Sequence, residues 1–284
     1  MNGQATALRE YIRRKNLGQV TQERDSSETA AGQVVTVSSG KGGVGKSTIA
    51  LHLALRTEAR ALVIDGDFVL GDLATLLNLT PSGDWTTIFK NPKSWPRYTQ
   101  PVNDSTDVLV PVTSGRETAQ NLPYSSRITR LLHQWRENYE LIIIDTATGL
   151  AAQVIDWCLA ANRVMVVTTP DPAACTDAYA LIKALHLTNR VRDIGLVVNQ
   201  FLPEDDPDDV FNQIETMTKR FLDYAIVNYG TVPWSHEIIT ASRSQAPLKT
   251  FHEGDALSLP PFDNAIGAIN PGTQAADLIT ETIG

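Results

Sequence analysis

The residues from Ser38 to Thr48 read SSGKGGVGKST, a spacing of glycines, lysine and hydroxyl that can wrap a polyphosphate. Gly40, Gly42, Gly43 and Gly45 let backbone N–H groups turn inward, and Val44 sits among them. Lys46 is placed for the β- and γ-phosphates, while the Ser47 hydroxyl, with Thr48 behind it, can complete the shell of a Mg2+ ion. A second lysine, Lys41, lies inside the same loop, where one phosphate-binding cation already suffices. Two acidic sites can complete such a centre. Asp65 and Asp67 flank Gly66, which frees the backbone to aim both carboxylates, and Asp145 ends the apolar run 141–144, with Gly149 four residues on. Asn199 offers an amide that donates and accepts together, suited to reading a base; an Asx turn is its alternative use.

These groups need strand ends and helix starts to hold them, and the pattern supplies both. Apolar, β-rich runs at 34–37, 61–64, 107–112, 141–144, 163–168, 194–199 and 229–232 alternate with helix-period segments. Continuous β-branched runs suit strands buried on both faces. The expected fold is therefore α/β, a doubly wound, mostly parallel sheet with helices on both faces. In such sheets ligands bind beyond the carboxyl ends of the strands, where every motif above sits.

The loop KGGVGKST resembles the deviant Walker A box of the MinD and ParA superfamily of P-loop ATPases. That resemblance implies ATP and Mg2+ as cofactors and an ATP-dependent homodimer, in which Lys41 reaches the partner's phosphates in the manner of an arginine finger. It also implies that Asp67 orients the attacking water, that Asp65 supports the metal and that Asp145 holds Mg2+ through water. Gly149 is implied to sense the γ-phosphate, and Asn199 with Pro233 to flank adenine. Lys41, Lys46 and Asp67 are thus the expected catalytic set. The family usually places a proline where this chain has Ala147.

The segment from Thr169 to Lys183, ending in DAYALIK, is similar to the FlhG (FleN) family of flagellar number regulators, and the likeness extends over about residues 33–255. Gln4, Ala5, Leu8 and Arg9 are similar to the element with which that family stimulates an FlhF-like signal-recognition-type GTPase, although Gly3 replaces its aspartate. The resemblance implies a switch ATPase governing flagellar number or placement. Its implied partners are that GTPase and flagellar switch or assembly proteins or a flagellar transcription regulator. A ParA-like positioning ATPase acting on DNA or another cargo is the alternative.

Composition narrows the choice. A net charge of −8 over 284 residues and a pI near 5.1 count against nucleic acid as a partner. Cys158 and Cys175 read as reduced thiols, and the five histidines show no ligand spacing. No run reaches the 18 to 20 apolar residues of a membrane span, and the charged N-terminus lacks a secretory core, so a cytoplasmic protein is expected, peripheral at most at the cell pole or inner membrane. After Arg243 the chain carries Lys249 as its sole basic residue, so membrane binding is expected to be weak. Three parts are expected: residues 1–32, a short helix over 5–15 and an unstructured linker; 33–270, the ATPase domain; and 271–284, a tail with a short helix at 275–282.

Overall fold

The computed structural model describes residues 10–13, 32–112, 124–191 and 193–245. Gln4, Ala5, Leu8 and Arg9, most of the expected linker and the C-terminal tail lie outside the described residues.

Among the described residues eight strands form one sheet: β1 (Gln33–Ser38), β2 (Ala61–Gly66), β3 (Thr99–Pro101), β4 (Thr106–Leu109), β5 (Leu141–Thr146), β6 (Arg163–Thr168), β7 (Ile194–Phe201) and β8 (Val227–Pro233). Their order is β3-β4-β2-β5-β1-β6-β7-β8, parallel except for the β3–β4 pair. The chain builds outward from β1 in one direction and then crosses to the other, so β1 marks the topological switch point where doubly wound sheets bind ligands. The expected parallel sheet is borne out. It gains an antiparallel edge, β3, only three residues long and carrying Pro101, which an edge tolerates because one N–H side needs no partner.

Within the described residues from 32 onward the α-helices are α1 (Lys46–Arg56), α2 (Leu73–Leu76), α3 (Trp85–Lys90), α4 (Tyr124–Arg136), α5 (Ala152–Ala160), α6 (Pro172–His186), α7 (Pro207–Leu222) and α8 (His236–Arg243). Three begin on an aspartate that accepts backbone N–H groups of its own first turn: Asp84 for α3, Asp171 for α6 and Asp206 for α7. Prolines follow Asp171 and Asp206 at the first helical position. Helix α1 differs, for its N-cap is Gly45, which has no side chain to satisfy the first turn. Those N–H groups are left for a ligand.

Two apolar layers flank the sheet. One joins α1 to Val35, Val37, Val63 and Ile143; the other joins α4 to α7 to Leu62, Ile64, Ile142 and Ile144, so β2 and β5 are buried on both faces as their unbroken apolar runs require. The second layer holds an aromatic cluster: Phe68 meets Trp85 edge-on at 5.0 Å and stacks on Trp157 at 5.9 Å. Among the described residues no helix is long and apolar enough to cross a membrane.

Candidate functional site

The phosphate loop spans the gap between Ser38, the last residue of β1, and Lys46, the first of α1. Gly43 and Gly45 hold φ of +81° and +85°, which an L side chain resists. Added Cβ atoms at Gly42 and Gly43 would meet nothing within 4 Å, so the loop encloses an open cradle. Gly40 and Gly45 are glycines for a second reason, close packing: a Cβ there would lie 2.3 Å from the Asp177 carbonyl oxygen of α6 and 2.3 Å from the Asn199 amide. Inside the cradle Lys46, 9% exposed, donates to Asp145 Oδ1 at 2.7 Å.

Asp65 and Asp145 face each other across the β2–β5 ladder. Both are buried, and burial raises both carboxyls. Asp65 is pushed to about 8, with Asp145 as the next cause; Lys46 opposes the rise at Asp145, which also bonds the Ser47 side chain. Two carboxyls beside one lysine carry excess negative charge when both are ionised. Oxygen donors with uncompensated charge are what Mg2+ takes. The residues present fit the cofactor set that the sequence implies.

One acidic loop is turned in on itself and the other is tied to the phosphate loop. Asp67 Oδ1 accepts from the N–H groups of Val69 at 2.9 Å and Leu70 at 3.0 Å, so its carboxylate caps its own loop. Phe68 is anchored in the aromatic cluster while Leu70 is 71% exposed. Gly149 has φ +90° and donates its N–H to the Ser39 carbonyl at 2.8 Å. A Cβ would find free space there, so the dihedral alone selects glycine. Engaging a γ-phosphate requires that N–H to leave Ser39.

Beside α1 lies a cavity of about 110 Å³, lined by Thr48, His52, Asn199, Val232, Pro233 and Trp234 among others. Asn199 and Pro233, assigned to the base from the sequence, do meet here. Asn199 also braces the phosphate loop by donating Nδ2 to the Val44 carbonyl at 2.7 Å. Gln200, in the left-handed region at φ +58°, repeats the contact to Gly43 at 3.3 Å, a role invisible in the sequence because it depends on that backbone turn.

Burial holds the His52 imidazole down at about 4, and nearby Arg56 pushes the same way. The folded residue therefore refuses a proton that the unfolded chain accepts. Stability is expected to fall as pH drops from 6.5 towards 4 and to be unaffected by this group above 6.5. The gap between about 4 and 6.5 corresponds to roughly 3 kcal/mol. Urea unfolding of His52→Gln at pH 7 and pH 4.5 checks this: the variant should lose less than the parent on acidification, and parallel losses would refute the assignment.

Lys41 stands apart from the Lys46–Asp145 pair. Its amine bonds Asp171 Oδ2 at 2.9 Å, the carboxylate that caps α6, with side chains 40% and 48% exposed. Exposed pairs of this kind are worth little, so Lys41 is readily surrendered to a better anion. An aspartate followed by Pro172 is a signal for a helix cap, but nothing in the sequence pairs it with Lys41, which comes from another loop. Likewise Trp157, a plain apolar position by pattern, donates Nε1 to the Gly66 carbonyl at 3.1 Å, between the two carboxylates of that loop. Among the described residues no cluster of three or more metal-ligating side chains of His, Cys, Asp or Glu occurs, and both cysteines are free thiols.

The ParA family model, described as NUBPL iron-transfer P-loop NTPase, matches residues 30–259. The antiactivator FleN of Pseudomonas aeruginosa is 28% identical over 218 residues, covering 75% of this chain and 78% of its own. The flagellum site-determining protein YlxH of Helicobacter pylori is 27% identical over 188 residues, covering 64% and 62%. Among solved structures, the septum site-determining protein MinD of Pyrococcus horikoshii, complexed with Mg-ADP, superposes with a TM-score of 0.68 at 15% identity, over 86% of this chain and 99% of its own.

Proposed function

Because the chain belongs to the ParA family of P-loop NTPases, we propose that it is an ATP-hydrolysing switch whose ATP-bound form dimerises and which sets the number or placement of flagella. The observation that carries the dimer is Lys41. It lies in a loop where Lys46 already offers one cation to a phosphate, and an exposed ion pair to Asp171 holds it back. Similarity to FleN and YlxH, whose names tie them to antiactivation and to flagellar siting, supports the flagellar setting.

The chemistry follows from placement. Backbone N–H groups of the loop and of the uncapped α1 terminus bind the phosphates, and Lys46 leaves Asp145 to contact them. Ser47, with Asp145 and Asp65 acting through water, would hold Mg2+, which spreads and neutralises charge on the transferring phosphoryl group. Asp67 releases Val69 and Leu70 to orient the attacking water, and Lys41 exchanges Asp171 for the phosphates bound by the partner subunit. Gly149 gives up Ser39 when the γ-phosphate is present, so hydrolysis resets the loop. Gln4, Ala5, Leu8 and Arg9 would engage an FlhF-like GTPase.

Light scattering with a non-hydrolysable ATP analogue tests the switch. The parent is expected to double in mass, while Lys41→Ala binds the analogue and stays monomeric; a Lys41→Ala dimer of parental affinity would refute the role in trans. Deleting the gene in its own organism is expected to alter flagellar number or position. Unchanged flagellation would remove the flagellar assignment and leave the dimer to be judged by scattering.

A further inference from the structure

Residues 10–13 are helical, and although they precede the ATPase domain by a long connection they are packed on it. Ile12 is 8% exposed and belongs to the larger apolar cluster, against which Tyr11 also packs. The Tyr11 hydroxyl donates to Oδ1 of Asp156, a residue 6% exposed on α5. Burial and this contact raise the phenol above its ordinary value, while Arg190, four residues beyond the end of α6, acts on it in the opposite direction. An apolar side chain and a polar one from the same helical turn thus meet a matched apolar surface and a buried carboxylate.

We propose that Tyr11 and Ile12 form a latch that seats the N-terminal helix on α5 and withholds it from a partner. The helical spacing expected from the sequence sets Leu8 three residues before Tyr11 and four before Ile12, on one side of the helix. A helix this short gains its stability from the face it buries. One face cannot be buried twice, so any partner that grips the N-terminal element by its apolar side must first displace Ile12 from the domain. This competition rests on the reading of Gln4 to Arg9 as a GTPase-activating element; the latch itself does not.

Helix α5 is a consequential place for such a seat. It begins at Ala152, three residues after Gly149, and the residue next to Asp156, Trp157, grips the Gly66 carbonyl between Asp65 and Asp67. The Trp157 carbonyl in turn accepts from Thr36 of β1. Rearrangement of either acidic loop around a nucleotide therefore acts on the helix that holds the latch.

Backbone hydrogen exchange on the full chain decides the latch. In the parent the amides around residues 11–13 should exchange about tenfold or more slowly than in Tyr11→Phe, which loses one hydrogen bond, or in Asp156→Ala, which loses the acceptor. Both variants should still bind ATP, which reports that the domain is folded. Parental exchange as fast as that of both variants overturns the latch. For the competition, Asp156→Ala leaves the N-terminal sequence intact. It should stimulate GTP hydrolysis by an FlhF-like GTPase at a half-maximal concentration about three- to tenfold below the parent's. Coincident curves from a parent whose amides are protected would overturn the competition. Absence of stimulation by either protein would overturn the activating role of the N-terminus, leaving the latch to stand or fall on exchange.

Discussion

Lys46→Ala is expected to abolish ATP binding and, separately, to lower the stability of the nucleotide-free domain by up to about 3 to 5 kcal/mol, the cost of stranding one member of a buried ion pair. Lys46 and Asp145 are both almost fully enclosed, at 2.7 Å, and burial already raises the Asp145 carboxyl. Without the lysine, Asp145 can take up a proton, which limits the loss at low pH and leaves it largest at high pH. The two effects can be separated. In Lys46→Ala with Asp145→Asn the orphaned charge is gone, so urea unfolding should recover most of the stability. Calorimetry should still detect no ATP binding, because the contact to the phosphates has not returned. Retained ATP affinity in the single variant would refute the phosphate-loop assignment, and equal stability of single and double variants would refute the stranded charge.

The framework of this site was legible in the sequence because the physics is local. Strands buried on both faces must be apolar along their middle, and residues 61–64 of β2, 141–144 of β5 and 164–167 of β6 read so without interruption. The phosphate loop must be glycine-rich between a strand and a helix, and Gly43 and Gly45 show the positive φ that demands it. What escaped is decided by contacts between distant segments. β3 is a strand by virtue of β4 alone, since three residues ending in proline carry no pattern. Nothing near Lys41 announces Asp171, and nothing near Ile12 announces the surface on which it is buried. The orientation of identified residues escaped too. Asp67, Gly149 and Asn199 are where the motifs place them, yet in this conformation each spends a hydrogen-bonding group on the protein itself. A motif specifies a group's type and its place in the chain; it says little about which partner that group holds in a given conformation.

Asp67→Ala is expected to reduce turnover by about 10²-fold or more while leaving ATP affinity near the parental value, because positioning of water is lost and phosphate contacts survive. ATP that is held but not hydrolysed should then accumulate the dimer. The resting geometry complicates this variant, since the Asp67 carboxylate also caps its loop through the N–H groups of Val69 and Leu70, and alanine removes both functions. Asp67→Asn separates them. Its side-chain oxygen can still accept those two N–H groups, but its charge is gone, and with it the acceptor that turns water towards the phosphorus. If orientation of water is the dominant role, asparagine should be as slow as alanine, and both should show a fall in kcat with KM for ATP little changed. If capping of the loop dominates, asparagine should recover turnover, and the assignment of Asp67 to the attacking water would be wrong. Anchoring of Phe68 among Trp85, Phe89 and Trp157 makes this comparison clean. The residue after Asp67 is fixed in the core whichever side chain precedes it, so a substitution at 67 changes what the loop presents to the nucleotide without detaching the loop from the domain.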